Sequence, residues 1–289
     1  MINMNEIKNR IGAISQTRKI TKAMHLISTV KMRNALEKQA QNKTYIDKVR
    51  AIIKDILYYS HGIEHPFLNE HPGDRTAFIV IAGDKGLCGP YNHNILNRAV
   101  REMEGIDEKY IFTVGHMATS FFNRKNYMVD IEFLHTAQNP QLENARQIAE
   151  VIIDLYNQKL IDRVKIIYTH LITTLTQETR SLELLPLARH AFDDVELEHK
   201  FSGTFEYDPS PTVVFDDLVP QYIIGVIYAA LVQAFASEQS NRMRAMESAT
   251  DNADKIITRL NHEYTRARQR AITEEITEII NGANAAAGR

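Results

Sequence analysis

The sequence has little cysteine, no tryptophan, and no proline near either end. Its 289 residues contain a single thiol, Cys88. One cysteine excludes an internal disulfide framework and leaves no second thiol for a zinc site, so the chain fits a reducing compartment. All 8 prolines lie between Pro66 and Pro220. The chain on either side of that interval therefore lacks the residue that most strongly breaks helices.

The near-neutral charge conceals a strong asymmetry along the chain. Residues 1–60 contain 12 basic and 4 acidic side chains, residues 61–236 contain 14 and 24, and residues 237–289 contain 8 and 8. The three segments therefore carry net charges of +8, −10 and 0, which sum to the total of −2. A basic N-terminal arm precedes an acidic middle, and net charge alone gives no evidence for nucleic acid.

No apolar run is long enough to span a bilayer. The most apolar stretch, residues 223–236, has 14 residues and includes Gln233, whereas a spanning helix needs about 20. We expect it to be a buried helix segment in a soluble chain. The first residues, MINMNEIKNRIGA, lack the apolar core of a secretory signal and are not the Ser-rich, acid-free type of an organelle import signal.

Two unusually long helices are predicted at the ends of the chain. Residues 3–59 and 221–281 contain no proline and one glycine each, whereas globular helices average about 11–12 residues. The C-terminal stretch has a heptad seam, which indicates a left-handed coiled coil. Its positions are Met243, Met246, Thr250, Ala253, Ile257, Leu260, Tyr264, Ala267 and Ala271. Beyond this seam the apolar positions shift by one residue to Ile272, Ile276 and Ile279, towards a different neighbour.

The N-terminal arm has a less regular apolar pattern. Its apolar positions are Ile7, Ile11, Ile14, Ile20, Met24 and Ile27, followed by Ile46, Val49, Ile53 and Ile56. Because a folded domain connects the two arms, we predict that they form an intramolecular antiparallel coiled coil.

The middle of the chain alternates between strand and helix patterns. Strands are predicted at 76–82, 110–114, 128–134, 164–171 and 180–187, and helices at 91–103, after Gly115 and at 140–157. This alternation favours a largely parallel, Rossmann-like α/β sheet. The predicted domains are an N-terminal coiled-coil helix at 1–60, an α/β domain at 74–208 and a C-terminal coiled-coil helix at 212–289.

The sequence offers weak signals for chemistry. The loop GDKGLCG (83–89) follows a strand, but its glycine spacing matches neither nucleotide fingerprint, so a tight structural turn is favoured over a phosphate site. Cys88 with His93 is a weak nucleophile and base pair, and a buried small residue is favoured. The acidic residues Asp193, Asp194, Glu196 and Glu198 are interpreted as a solvated loop. We identify no catalytic, cofactor-binding or metal-binding residues.

The basic arm leaves two hypotheses open. Lys19, Lys22, Lys31, Arg33 and Lys38 could bind nucleic acid, but no aromatic residues lie between positions 1 and 44 to stack on bases. A basic helix facing an acidic protein surface is the stronger interpretation. The residues alone thus favour an interaction or scaffold protein, with a nucleic-acid-binding coiled-coil adaptor as the alternative and an enzyme using the Cys88 turn third.

Several motifs resemble the gamma subunit of bacterial-type ATP synthase. They are RKITKAM (18–24) with KMR (31–33), the turn DKGLCGPYN (84–92), and the C-terminal runs ASEQ (236–239) and ATDNA (249–253). The resemblance covers essentially the whole chain. One departure is Gly83, where that family more often has Ser or Thr, and it affects the fine structure of the turn.

The resemblance implies a central rotor shaft rather than an enzyme. In that family the coiled coil runs through a hexamer of alpha and beta subunits, and the α/β domain contacts the epsilon subunit and the ring of c subunits. Ion flow turns the ring, and ATP is made or hydrolysed on the beta subunits. The chain would be present in one copy, bind no nucleic acid and bind no cofactor itself, since ATP, ADP and Mg bind to its partners.

The resemblance also implies roles and a location. Lys22 and Met24 correspond to positions near an acidic loop of the beta subunit. Glu238, Arg242 and Gln269 correspond to positions that couple the helices and contact the head. Phe205 and Tyr207 correspond to a segment at the foot of the shaft, where the α/β domain lies near the c ring. The chain would be a peripheral protein at the cytoplasmic face of the bacterial inner membrane.

Overall fold

A computed structural model describes residues 4–60, 63, 65–69, 71–133, 136–174, 176–195 and 207–287. The chain divides into two compact units. One combines Met1–Ile27 with Met243–Arg289, and the other consists of Ser28–Arg242. We call them the coiled-coil unit and the sheet unit.

Two long helices contribute residues to both units. Helix α1 spans Met4–Tyr59 with 56 residues, and helix α5 spans Pro211–Ala287 with 77 residues. Helix α5 begins at Pro211, one residue before the predicted C-terminal helix at 212–289, and it continues through Pro220, which precedes the proline-free stretch 221–281. Proline is tolerated in the first turn of a helix, where its missing N–H has no partner to lose. Pro211 therefore begins the helix rather than preceding it.

In the coiled-coil unit the two helices are antiparallel. Arg18 pairs with Asp254, the Thr21 and Thr250 hydroxyls lie 2.8 Å apart, and His25 Nδ1 lies 3.2 Å from the carbonyl oxygen of Met243. As the residue number rises along α1, the number of the contacting residue on α5 therefore falls. This geometry confirms the predicted antiparallel pairing of the two arms.

The predicted seam on α5 is also confirmed. Met246, Ala253 and Leu260 are buried, and the intervening seam positions are partly covered. By contrast, Ile272, Ile276, Ile279 and Ile280 are each between 47 and 65 % exposed. The one-residue shift read from the sequence therefore marks the point where the apolar stripe leaves the seam.

A five-stranded mixed sheet forms the centre of the sheet unit. Its strands are β1 (Thr76–Ile81), β2 (Lys109–Val114), β3 (Ile131–Phe133), β4 (Arg163–Leu171) and β5 (Gln177–Leu185), in the order β3-β2-β1-β4-β5. The first four strands are mutually parallel, as predicted. Strand β5 is antiparallel to β4. The reason is the short connection of residues 172–176, since a parallel crossover needs a dozen residues or more.

Three shorter helices connect the strands. They are α2 (Tyr91–Met103), α3 (His116–Arg124) and α4 (Leu142–Asn157), and a short 3-10 helix spans Arg189–Phe192. The predicted bounds of α2 are correct. Helix α4 begins two residues after the predicted Pro140, because the Gln141 N–H is bonded to the Asn144 side chain at the helix start. Strand β3 is shorter than predicted, and Met128 is 80 % exposed.

The sheet lies between two apolar layers. One face is covered by α2 and α3, with Ile95, Leu96 and Phe122 in its core. The other face packs against α4 and parts of the two long helices, including Ile53 and Ile56 of α1. Close packing of the long helices in this unit depends on Gly225, where an added Cβ would lie 1.8 Å from the Ile46 side chain.

The apolar segment of α5 is part of this core. By length and composition, α5 contains a window that would suit a membrane span, with a mean hydropathy of 1.7. However, Ile223, Ile227, Leu231 and Ala234 are at most 1 % exposed within the protein. Their burial agrees with the prediction of a buried helix segment.

Candidate functional site

The glycine-rich turn between β1 and α2 is held by side chains of its own unit. The Arg242 guanidinium donates hydrogen bonds to the carbonyl oxygens of Lys85 (3.4 Å) and Gly86 (3.2 Å) and lies 2.5 Å from the Glu238 carboxylate. Asp84 accepts a hydrogen bond from the His116 N–H at 2.9 Å. The turn is thus attached to α5 and to the start of α3, as a structural turn requires.

Gly83 packs closely against Glu238 of α5. Its N–H donates to the Asn92 side chain at 2.9 Å, and an added Cβ would lie 3.0 Å from the Glu238 carboxylate. Within the same turn Leu87 and Gly89 have positive φ angles of 61° and 58°, and glycine accommodates this conformation without steric cost. The absence of a side chain at Gly83, the departure noted in the sequence, therefore lets the turn approach Glu238.

Burial governs the ionisation of the groups beside this turn. Burial raises the pKa of the Glu238 carboxyl, and the neighbouring Arg242 cation partly opposes that shift. Burial also raises the pKa of the Cys88 thiol, with a further contribution from the Glu238 charge. A raised thiol pKa lowers the fraction of reactive thiolate at neutral pH.

The structure does not bring Cys88 and His93 together as a nucleophile and base. The thiol is buried and contacts the Asn92 amide at 3.3 Å, whereas His93 Nε2 lies 2.8 Å from the Asn97 amide. Cys88 is thus a buried small residue in the turn, as the sequence favoured. Among the described residues, no group of three or more His, Cys, Asp or Glu side chains has a geometry suited to a metal ion.

The α1 seam contains a polar section that was not predicted from the sequence. The covered positions of α1 continue the 3-4 spacing of Ile7, Ile11 and Ile14 through polar residues rather than apolar ones. These positions are Arg18, Thr21, His25 and Ser28. Ile20 and Ile27, which belong to the less regular apolar pattern of this arm, are 52 and 56 % exposed. The 3-4 spacing of the first three isoleucines, continued along the helix, locates these seam positions. Hydrophobicity does not locate them, because their side chains are polar.

Lys22 and Met24 lie within this section of α1, beside the seam positions Thr21 and His25. Lys22 is exposed, and its ammonium makes no ion pair with any residue that the structure describes. Met24 is half-buried beside the seam. On the same helix Ile20, Leu26 and Ile27 are each more than half exposed. This part of α1 therefore presents basic and apolar side chains together.

The remaining predicted site residues have different surroundings. Gln269 is exposed on α5, and its main-chain carbonyl accepts a hydrogen bond from Thr273 at 2.8 Å. Tyr207 is half-buried against the core of the sheet unit, and burial raises its pKa. Phe205 lies outside the described residues.

Two acidic residues that were interpreted as solvated form ion pairs with α1. Asp194 lies 2.6 Å from Arg50, and Asp193 lies 3.1 Å from Lys54. The hydrogen bond from Arg50 holds the pKa of Asp194 below its usual range. Both carboxylates remain largely exposed. Part of the basic arm thus faces acidic groups of its own chain, while Glu196 and Glu198 lie outside the described residues.

Comparison with known proteins identifies the family. The family model described as ATP synthase matches residues 3–286. An ATP synthase gamma chain from Ruminiclostridium cellulolyticum is 44 % identical over 289 residues, covering 98 % of both chains. One from Acetivibrio thermocellus is 39 % identical, covering 99 % of both. The chain belongs to the ATP synthase gamma chain family. As a gamma chain it is a non-catalytic subunit and forms the rotor of the central stalk.

Solved structures show the same fold at lower identity. The central stalk and c ring of the Tetrahymena thermophila mitochondrial ATP synthase contains a chain that matches with a TM-score of 0.60 and 24 % identity, covering 80 % of this gamma chain and 99 % of its own length. A chain of the Euglena gracilis mitochondrial ATP synthase rotor matches with a TM-score of 0.64 and 16 % identity. The match covers 93 % of this gamma chain and 98 % of the Euglena chain. The family match favours the rotor hypothesis over a nucleic-acid adaptor.

Proposed function

We propose that this gamma chain turns with a ring of membrane c subunits and drives conformational changes in a hexamer of alpha and beta subunits. One copy serves each complex, and its α/β domain also contacts the epsilon subunit. ATP, ADP and Mg bind to the partner subunits, and ATP is made or hydrolysed on the beta subunits. The chain acts at the cytoplasmic face of the bacterial inner membrane as a peripheral protein.

The observation that carries this proposal is the exposed apolar end of α5. Ile272, Ile276, Ile279 and Ile280 are each about half exposed or more. Contiguous apolar surface on a soluble protein marks an interaction site. A sleeve of apolar residues in the head, surrounding the helix end, would cover these side chains and still permit rotation because apolar contacts are non-directional.

Lys22 and Met24 are proposed to approach an acidic loop of the beta subunit. Lys22 is exposed, and its charge is not neutralised by a described residue. An unpaired cation attracts an acidic partner over several ångströms without requiring close packing. Gln269, exposed on α5, is proposed as a second head contact.

Glu238 and Arg242 are proposed to act in coupling through the glycine-rich turn. Both are buried, and Arg242 bonds to the carbonyl oxygens of that turn. Their effect on the head would therefore be indirect. Phe205 and Tyr207 are proposed to belong to the foot segment that contacts the c ring.

Reconstitution with purified alpha and beta subunits tests the proposal directly. We expect the chain to enter a stoichiometric complex and to raise its ATPase activity. A chain that neither joins the complex nor stimulates hydrolysis would contradict the proposal. A steeply salt-dependent shift of a nucleic-acid probe would instead favour the adaptor hypothesis.

The variant Met24→Lys tests the proposed beta contact. It adds a second cation close to Lys22 and places it beside the acidic loop. We expect ATP hydrolysis to persist while ATP-driven proton pumping falls. Met24→Leu is the matched control, because it keeps an apolar side chain of similar volume. Unchanged pumping by Met24→Lys would argue against the contact.

A further inference from the structure

Strand β4 extends beyond its parallel neighbour. The last residue of β4 paired with β1 is Ile167, but the strand continues to Leu171. Over those last residues β4 pairs with β5 on one side. The N–H and C=O groups on its other edge need partners, because unpaired buried backbone groups are costly.

Helix α5 supplies those partners with side chains. The Gln233 side-chain oxygen accepts a hydrogen bond from the Leu171 N–H at 3.1 Å. The Ser237 hydroxyl donates to the Thr169 carbonyl oxygen at 3.0 Å. Two polar residues of the helix thus occupy the edge of β4 that β1 leaves open.

Further bonds link α5 to the connection between β4 and β5 and to the start of β5. The Ser240 hydroxyl donates to the Thr174 carbonyl oxygen at 2.9 Å. The Gln177 amide donates to the Ser237 carbonyl oxygen at 3.2 Å, and its side-chain oxygen accepts from the Asn241 amide. Gln177 therefore bonds to two residues of the helix.

We call this set of five hydrogen bonds the polar latch. Its α5 residues are Gln233, Ser237, Ser240 and Asn241, and its hairpin partners are Thr169, Leu171, Thr174 and Gln177. The α5 residues are between 0 and 8 % exposed. Their spacing places all four within about 100° of one helix face. Beside the latch, Leu171 and Val232 belong to a small buried apolar cluster, and Leu231 and Ala234 of the same helix segment belong to the main core of the sheet unit.

We propose that the polar latch is the joint through which the sheet transmits torque to α5. A rotary load on the sheet unit shears the β4–β5 hairpin against the helix. Apolar contacts are non-directional and resist sliding weakly, whereas hydrogen bonds weaken steeply when their distance or angle changes. The four α5 residues of the latch thus hold the hairpin in a fixed position on the helix during rotation. This inference rests on the rotor function.

The test measures the stiffness of this joint in an assembled complex. The alpha and beta subunits are fixed to a surface, and a probe is attached to the sheet unit through Met128→Cys, a position that is 80 % exposed. In the triple variant Gln233→Leu, Ser237→Ala, Ser240→Ala, three of the five hydrogen bonds are lost. We expect the variance of the probe angle to rise about 1.5-fold or more, because each lost bond removes a directional restraint.

A second readout separates torque transmission from assembly. In the whole ATP synthase the triple variant should retain ATP hydrolysis by its head while ATP-driven proton pumping falls about twofold, because a joint with fewer directional bonds slips under load and part of the rotation is lost. The control is Ser248→Ala, which removes an exposed hydroxyl from the same helix. It should change neither the variance nor pumping.

The outcomes separate this inference from the rotor function itself. If the wild-type chain does not assemble with alpha and beta subunits, the rotor function fails. If the triple variant assembles and its angular variance matches that of the control, the latch inference is wrong. If the triple variant fails to fold, the single variant Ser240→Ala replaces it. A variance in that single variant equal to the control would then overturn the inference.

Discussion

The Arg242 guanidinium lies 2.5 Å from the Glu238 carboxylate one turn away on α5, and it also holds two carbonyl oxygens of the glycine-rich turn. The side chains of both residues are largely buried, with 11 and 7 % exposed. Removing one partner of such a pair leaves an uncompensated buried charge. The pair therefore makes the turn and the helix dependent on each other.

Arg242→Met tests this dependence. We expect the free energy of unfolding of the full-length chain at pH 7 to fall by about 3 kcal/mol, because Glu238 would lose its cation while remaining buried. Denaturant unfolding measures the loss. The double variant Glu238→Leu, Arg242→Met should recover much of it, and a double variant as unstable as the single one would contradict the argument.

The same variant has a predicted pH dependence. Burial raises the Glu238 pKa, and removing the opposing Arg242 charge should raise it further. The folded state would then bind a proton that the unfolded state releases over the interval between the two pKa values. Stability of the variant should therefore rise as the pH falls through the folded-state pKa. A flat difference from wild type across that interval would count against this assignment.

Gly83→Ala should destabilise the turn. The new Cβ would lie 3.0 Å from the Glu238 carboxylate and 3.2 Å from the Asn92 side-chain oxygen, so these groups must move. We expect a loss of about 1 kcal/mol in unfolding free energy. Gly86→Ala is the control, because an added Cβ there meets no atom within 4 Å. Equal losses in the two variants would show that packing against Glu238 is not the cause.

The threonine pair in the coiled coil allows a double-mutant cycle. The Thr21 and Thr250 hydroxyls lie 2.8 Å apart, and each also lies within hydrogen-bond distance of a carbonyl oxygen of its own helix. Because each hydroxyl has one proton, the contact between them requires one hydroxyl to donate to the other instead of to its own helix. We expect a coupling energy of about 1 kcal/mol between Thr21→Val and Thr250→Val. Unfolding measurements on the four proteins provide the cycle. Additive effects of the two variants would mean that the hydroxyl contact contributes nothing.

Asp162 should control part of the acid sensitivity of the sheet unit. Arg75 donates two side-chain hydrogen bonds to this carboxylate, at 2.8 and 2.9 Å, and holds its pKa below the usual range. In acid the unfolded state takes up a proton that the folded state resists, so this stabilisation is lost as the pH falls through the lowered pKa. In Asp162→Asn, the free energy of unfolding, measured with denaturant at a series of acidic pH values, should fall less steeply with falling pH than in the wild type. Asp74→Asn, at an exposed carboxylate, should show no such difference.

Much of the fold was predictable because local patterns and tertiary packing agree. Helix α2 and the parallel strands follow from apolar periodicity between glycine-rich breaks, and the α5 seam follows from strict heptad spacing. The passage of α5 through Pro220 was not predictable by treating proline as a breaker, although the predicted start at 212 lies one residue from the observed start at Pro211.

The site was less predictable because its covered positions are polar. Arg18 and Thr21 lie in the α1 seam through bonds to Asp254 and Thr250, and a hydrophobicity pattern assigns no value to such bonds. A hydrophobicity pattern instead favours burial of Ile20, which is 52 % exposed in the structure. Family resemblance supplied Glu238 and Arg242 as positions, but the structure was needed to reveal their contact with the turn.

The isoleucines at the end of α5 also bear on how the chain is made. Four apolar side chains open to water on one helix end, Ile272, Ile276, Ile279 and Ile280, form a surface that can associate with other newly made copies. Synthesised without its partners, the chain should aggregate through this end at rising concentration. Co-expression with a partner that covers this end should therefore raise the yield of soluble chain.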